Sequence, residues 1–172
     1  MIIGLIGFKQ VGKSTAAKYL ENTHEFIRHN MKDGLVAEIR QNFSILLSEL
    51  SKIYGMTVDE LFVQKPPAMR ALLQEYGTEV RRNDNRNYWV KKWRENLPEG
   101  NIVVDDVRFH NEADMVKHNG GILIRLVRPD IETGGTHASE MEQLEIVADY
   151  TIECVPGDHQ KLYDELELIL NK

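Results

Sequence analysis

Gly7-Phe8-Lys9-Gln10-Val11-Gly12-Lys13-Ser14 follows the apolar run Met1-Ile2-Ile3-Gly4-Leu5-Ile6 and precedes Thr15-Ala16-Ala17-Lys18-Tyr19-Leu20. The quoted stretch matches G-x-x-x-x-G-K-[ST] without a mismatch. Its glycines let the backbone turn tightly, so that the N–H groups of residues 9 to 14 (Lys9, Gln10, Val11, Gly12, Lys13 and Ser14) converge on an anion. Lys13 can reach the terminal phosphates of a nucleotide, Ser14 can ligand its Mg²⁺, and Thr15 can contact the α-phosphate. A strand-like run before the loop and a helical one after it place the phosphates at a helix N-terminus. A glycine-rich turn that binds nothing is the plain alternative, and the intact motif in its expected context argues against it.

Outward from this loop, strand-like and helix-like stretches alternate. Asn101-Ile102-Val103-Val104-Asp105-Asp106 is a short apolar run ending in two carboxylates, as in a buried parallel strand. Residues 111 to 119 predict a helix closed by Gly120-Gly121, and Ile122 to Val127 the next strand. Met141 to Val147 predicts a helix, Asp149 to Val155 a last strand and Asp158 to Leu170 a final amphipathic helix. The alternation predicts an α/β protein with a parallel sheet of about five strands and helices on both faces, the three-layer P-loop NTPase fold. The site belongs at the carboxyl ends of the strands. A single domain is expected, with a core of 1–34 and 98–172, a helical insertion over about 35–97 and a short lid over about 128–140.

Within the insertion, apolar residues at Leu35/Val36, Ile39, Phe43, Leu46/Leu47, Leu50 and Ile53/Tyr54 predict one long helix ended by Gly55. Pro66-Pro67 breaks the chain before a helical stretch from Ala68 to about Val80, interrupted near Gly77. Trp89 and Trp93 share a helix face, and core packing is the expected role of at least one.

The chain has 172 residues and a formal net charge of −6, which disfavours a nucleic-acid binder. Residues 65–94 carry +5, leaving −11 elsewhere. A local positive region on an acidic chain suits a small anionic substrate. The single cysteine, Cys154, excludes an internal disulfide framework and reads as a small core residue. No apolar run approaches a membrane span and the N-terminus lacks a basic opening, so a cytoplasmic protein is expected.

No Asp is followed by Gly three places on and no Lys by Asp two places on, so the signatures of a guanine-nucleotide switch are missing. What remains is the small-kinase plan, with a nucleotide-binding core, an acceptor-binding insertion and a lid.

Arg70-Ala71-Leu72-Leu73-Gln74-Glu75-Tyr76-Gly77-Thr78-Glu79-Val80-Arg81-Arg82, followed by Tyr88-Trp89-Val90, resembles the acceptor segment of bacteriophage-type deoxynucleoside monophosphate kinases. Val104-Asp105-Asp106-Val107-Arg108-Phe109, with Asn111 and Glu112, resembles their second carboxylate motif. Arg128-Pro129 and Thr136-His137-Ala138-Ser139-Glu140 resemble their lid entry and exit. The blocks keep the family's order from Met1 to about Ile152, and between Ile27 and Leu35 the chain departs from its more apolar, proline-bearing pattern.

The resemblance implies ATP and Mg²⁺ as cofactors, a deoxynucleoside monophosphate as acceptor and a homodimer as an option. It makes Lys13, Asp106, Arg108 and Arg128 the catalytic candidates. Arg70 and Arg108 would clamp the acceptor phosphate, because a guanidinium fork matches phosphate geometry. Gln74, Gly77 and Thr78 resemble acceptor-pocket positions, with Trp89 or Trp93 against the base. Asp106, Arg108 and Glu112 would face the acceptor nucleotide. Asp105 or Asp106 would serve the metal, Asp105 through water; pairing with backbone or an arginine is the alternative for Asp105. His137 and Glu140 would latch the lid. A P-loop kinase for another small acceptor and a non-catalytic ATP-binding module are the rival readings.

Overall fold

Ile2–Ile6 forms β1, whose five residues are all buried, as expected of a central strand covered on both faces. The computed structural model describes residues 1–131 and 138–172; of Glu79 and of residues 138–140 it describes the backbone. The expectations placed on His137 and on the Glu140 side chain lie outside the described residues.

In chain order β1 is followed by α1 (Lys13–His24), β2 (Ile27–Arg28), α2 (Asp33–Asn42), α3 (Ser44–Tyr54), α4 (Val58–Gln64) and α5 (Pro67–Gln74). A π-helical turn, Glu75–Val80, leads to α6 (Arg81–Asp84) and α7 (Tyr88–Glu95). Then come β3 (Ile102–Val104), α8 (His110–His118), β4 (Ile122–Val127), α9 (Ala138–Glu145), β5 (Tyr150–Glu153) and α10 (His159–Leu170). No helix among the described residues is long and apolar enough to cross a membrane.

The chain divides into two compact units, Met1–Asn30 with Asn96–Lys172, and Met31–Glu95. In the first, five parallel strands run in the order β2-β3-β1-β4-β5, with Ile3 opposite both Val103 and Ile122. The fold is α/β, a five-stranded parallel sheet with helices packed on both faces. Alternate residues of β1 face opposite layers. Ile3 and Leu5 join Ala16, Ala17 and Leu20 of α1 and Leu162, Leu166 and Ile169 of α10 in one core. Gly4 faces the other way, where a Cβ would lie 2.7 Å from Leu123 Cδ2 and 3.4 Å from Val116 of α8. Strand β2 lies in a segment whose sequence announces no strand, since it is two residues long and sits at the sheet's edge.

The second unit is helical, around Ile39, Leu47, Leu50, Leu61, Met69, Tyr76 and Trp89. The long helix expected from Leu35 to Tyr54 is two helices, α2 and α3. Phe43 leaves the helical region at φ −120°, ψ 29°, and its ring meets that of Tyr76 edge-on at 5.1 Å. Apolar spacing cannot report this break, because Phe43 stays on the inward side. Helix α4 starts from a capping box in which Thr57 and Glu60 satisfy each other's backbone N–H. The interruption expected near Gly77 is a widening of the helix rather than a break.

Candidate active site

The loop after β1 is built by backbone conformations that few residues accept. Gly7 has φ +146° and Gly12 φ +110°. A Cβ on Gly7 would overlap the carbonyl oxygen of Leu126 and lie 2.9 Å from Val11 Cγ2. Gln10 also takes a positive φ, 68°. Gly12 caps α1 with no side-chain hydrogen bond, and the first turn holds no acid, so neither cap nor charge opposes an anion at this N-terminus. Lys9, Gln10 and Ser14 are exposed, Lys13 and Thr15 partly so, and Val11 is buried beneath the loop. The Lys13 ammonium donates to the carbonyls of Gly7 at 2.5 Å and Phe8 at 2.7 Å.

Arg128, one residue beyond β4, reaches the same loop. Its Nη1 donates to the Gln10 carbonyl at 3.0 Å, while Nε and Nη2 are held by the two carboxylate oxygens of Asp130 at 3.0 and 2.5 Å. Arg125, three residues earlier on β4, is held by backbone carbonyls. Its Nη2 donates to the carbonyls of Gln143 and Ile146 at the end of α9, and burial lowers its pKa. A small apolar cavity of ≈ 80 Å³ lies among Gly7, Phe8, Val11, Arg128, Ile131 and Leu144. Cys154 is buried in the core under the loop, 3.6 Å from where a Cβ on Gly12 would stand, and burial pushes its thiol up.

The two carboxylates at the end of β3 differ. Asp105 is 7% exposed, its N–H donates to Asn30 Oδ1 at 2.9 Å, and its Oδ2 lies 3.3 Å from Arg28 Nη1. Arg28 also pairs with Glu21. Asp105 thus has the arginine pairing that is the alternative to a role beside metal-bound water. Asp106 is only half-buried. Glu112 is buried and accepts from the N–H groups of Arg108, at 2.8 Å, and Phe109, at 3.2 Å, at the start of α8. Glu112 thereby shapes the turn that carries Arg108, whose side chain is exposed.

In the helical unit Arg70, Gln74 and Thr78 are exposed. Arg70 Nε donates to the Lys65 carbonyl at 2.8 Å, tying it to the end of α4. Trp89 is 3% exposed and Trp93 is buried too, so both indoles belong to the core. Trp89 Nε1 donates to the buried carbonyl of Gly77 at 2.8 Å. The core role expected of at least one tryptophan is seen for both, and Gly77 has a backbone role: a Cβ there would lie 2.9 Å from Leu35 Cδ2.

Residues 40–154 match the family model for deoxynucleotide monophosphate kinase. A protein of Acanthamoeba polyphaga mimivirus, provisionally described as a deoxynucleotide monophosphate kinase, is 37% identical over 175 residues, covering 90% of this chain and 88% of the viral one. The chain belongs to the deoxynucleotide monophosphate kinase family. Among solved structures, the shikimate kinase of Aquifex aeolicus matches with a TM-score of 0.47 at 18% identity, covering 99% of this chain and 96% of its own. That of Bacteroides thetaiotaomicron matches with a TM-score of 0.47 at 14% identity, covering 100% and 99%.

The family match starts at residue 40, beyond Gly7–Ser14, so the phosphate loop and the family are separate observations that agree on a nucleotide kinase. In this deoxynucleotide monophosphate kinase-family chain, the structure brings Lys13, Ser14, Gln10 and Arg128 to one loop. It adds residues that the sequence did not single out: Asp130, which holds Arg128, and Glu38, a buried acid on α2. Glu38 had a signal, since it stands three residues after Leu35 and beside Ile39, on the inward face.

Proposed function

We propose that the chain transfers the γ-phosphoryl group of ATP to the phosphate of a deoxynucleoside monophosphate. A bond forms between an acceptor phosphate oxygen and Pγ, the bond from Pγ to the β–γ bridging oxygen breaks, and ADP and a deoxynucleoside diphosphate leave. The observation that carries this is an intact phosphate loop at the N-terminus of α1 in a chain of this family.

Phosphoryl transfer asks a protein mainly for in-line positioning and neutralisation of charge. The N–H groups of residues 9 to 14 and the Lys13 ammonium hold the β- and γ-phosphates, Lys13 exchanging its two loop carbonyls for phosphate oxygens. Thr15, in the first turn of α1, contacts the α-phosphate. Arg128, already aimed at the loop by Asp130, meets the transferred group. Arg70 and Arg108 hold the acceptor phosphate, with Gln74 and Thr78 on the rest of the acceptor.

The donor set fits Mg²⁺ bound mostly through phosphate and water, as this ion favours. Ser14 offers an exposed hydroxyl and Asp106 a half-buried carboxylate, while Asp105 is committed to Arg28. Bound there, the ion would neutralise charge on the β- and γ-oxygens.

The test is ADP release in the presence of ATP, Mg²⁺ and each of dAMP, dCMP, dGMP and dTMP, with the ribonucleotides alongside. Acceptor-dependent release with at least one deoxynucleotide supports the reading. ATP binding without acceptor-dependent release from any of them would overturn it in favour of a non-catalytic module or a kinase for another acceptor.

A further inference from the structure

Arg28 ends β2 and meets two acids from different elements. Its Nη2 pairs with Glu21 on α1, and its Nη1 lies 3.3 Å from Oδ2 of Asp105, the residue after β3. The register explains the meeting. Arg28 stands opposite Val103, and side chains alternate along a strand, so Val103 and Asp105 face the same layer. That layer holds α1, since Phe26 and Val103 pack in one core with Ala16, Ala17 and Leu20. Asn30, two residues beyond Arg28, is 5% exposed and accepts the Asp105 N–H through Oδ1 at 2.9 Å. The segment Arg28 to Asn30 thus holds Asp105 twice, by its carboxylate and by its backbone. All of these residues belong to the unit Met1–Asn30 with Asn96–Lys172.

Stability alone does not account for this arrangement. Taking a carboxylate out of water costs free energy that a buried pair returns only with good geometry and full hydrogen bonding. Here the contact to Asp105 is long, and the buried Arg28 Nε has no hydrogen-bond partner among the described residues. What the guanidinium does achieve is a fixed separation, because its fork spans two carboxylates that a point charge would engage one at a time. One end of that span is the helix that opens with Lys13 and Ser14. The other is the residue before Asp106, whose side chain is half-buried. Gly4 and Val104 are partners in register, so the phosphate loop and the Asp105-Asp106 pair leave adjacent strands close together.

We propose that Arg28 is a positioning residue for the Mg²⁺ site of the nucleotide. With Glu21 and Asn30 it holds Asp105, and through Asp105 it sets the place of the Asp106 carboxylate relative to Ser14. It touches neither nucleotide nor metal. The inference rests on the kinase reading, in which Ser14 and Asp106 serve the ion. It gives the short edge strand β2 and an acid on α1 a part in the reaction.

The experiment compares wild type, Arg28→Met, Arg28→Lys, Asp106→Asn and the Arg28→Met, Asp106→Asn double variant, each checked for folding by thermal melting. One readout is the Mg²⁺ concentration for half-maximal rate at fixed ATP. The other is the gain in ATP affinity on adding Mg²⁺, from calorimetric titrations with and without the ion. Arg28→Met should raise the half-maximal Mg²⁺ about tenfold and shrink the affinity gain, while metal-free ATP affinity stays within about twofold. Arg28→Lys, which can engage one carboxylate, should recover part of both losses. In the Asp106→Asn background Arg28→Met should add little, because it acts through that carboxylate. A folded Arg28→Met that lowers kcat without moving either Mg²⁺ readout would make the pair merely structural and overturn the proposal. If Arg28→Met does not fold, Arg28→Lys and Glu21→Gln are read in the same way: a shift in either supports the proposal, and no shift in both overturns it. Should wild type show no acceptor-dependent ADP release, the kinase reading fails first. The ATP titrations then decide the positioning role alone: a smaller gain in the variant supports it, and equal gains, or no gain in either protein, overturn it.

Discussion

Arg128 Nη1 donates to the carbonyl oxygen of Gln10 at 3.0 Å, joining the residue after β4 to the middle of the phosphate loop. Gln10 stands at a positive φ, so its carbonyl is turned to a direction that ordinary backbone does not reach. The Asp130 carboxylate fixes the other side of the guanidinium and raises its pKa further, so the charge is permanent. Arg128→Ala should lower kcat by about 10²-fold or more with a smaller change in ATP KM, as expected of a group that stabilises the transferred phosphoryl charge. Asp130→Asn should lower kcat by less, a few-fold, because it loosens the arginine without removing it. A wild-type kcat for both variants would make this contact merely structural.

Lys13 is held by two carbonyls of its own loop, at 2.5 and 2.7 Å, so its ammonium is in place before a phosphate arrives. Lys13→Ala should reduce acceptor-dependent ADP release by about 10²–10³-fold. Its melting temperature should change little, because the side chain is partly exposed. Kinetics and melting on one preparation check both halves.

Gly7 is a different kind of requirement. At φ +146°, with the Leu126 carbonyl where a Cβ would go, Gly7→Ala meets both backbone strain and a backbone clash that no rotamer relieves. A loss of about 2–3 kcal/mol is expected, or roughly 4–12 °C in melting temperature for a chain of this size. Gly77→Ala should cost less, because the atom its Cβ would approach is the end of the Leu35 side chain, which can move. Melting curves for the pair test the ordering.

The parallel sheet and the phosphate loop were legible because they depend on local patterns: a short apolar run, glycines at fixed offsets and a helix after them. Trp89 and Glu38 show why the acceptor side was less so. A tryptophan in a basic, motif-bearing segment suits a base-stacking role and a core role equally until its burial is known, and the structure puts it in the core. Glu38 is an acid on an amphipathic helix, for which a solvated face is the usual fate. Its place beside Ile39 hinted at the inward face, and the convergence of Tyr76, Arg81, Tyr88 and Lys92 from three other segments shows what it meets there. The break at Phe43 and the edge strand β2 escaped for a simpler reason, since one residue in one case and two in the other set no period.

Asp149 gives the fold a pH dependence of definite sign. Its burial opposes ionisation, but the Lys117 ammonium and the N–H of Leu123, at 2.7 Å, outweigh this and lower its pKa from 3.8. A depressed folded-state pKa contributes stability above the unfolded value and loses it as pH falls through the folded one. The contribution is therefore complete at pH 7 and declines below about pH 4. Asp149→Asn should cost about 1–2 kcal/mol at pH 7, allowing for partial solvent screening, and the gap from wild type should narrow in acid. Melting temperatures for both proteins between about pH 3 and 7 check this; a gap that stays constant would refute the linkage.

Trp89 separates packing from recognition most cleanly. Its indole N–H donates to the buried Gly77 carbonyl, and its ring meets that of Tyr88 edge-on at 4.8 Å. Trp89→Phe leaves that carbonyl without its donor and removes ring volume from a close-packed site. A loss of about 2–4 kcal/mol is expected, the unsatisfied carbonyl and the smaller ring both contributing. Because the ring is 3% exposed, the folded fraction should retain kcat and acceptor KM within about threefold for every accepted base. Kinetics well below the melting transition, alongside a denaturant titration, measure the two effects separately. A base-dependent rise in acceptor KM with undiminished stability would return Trp89 to the base-stacking role, and would require a conformation in which α7 turns this face outward.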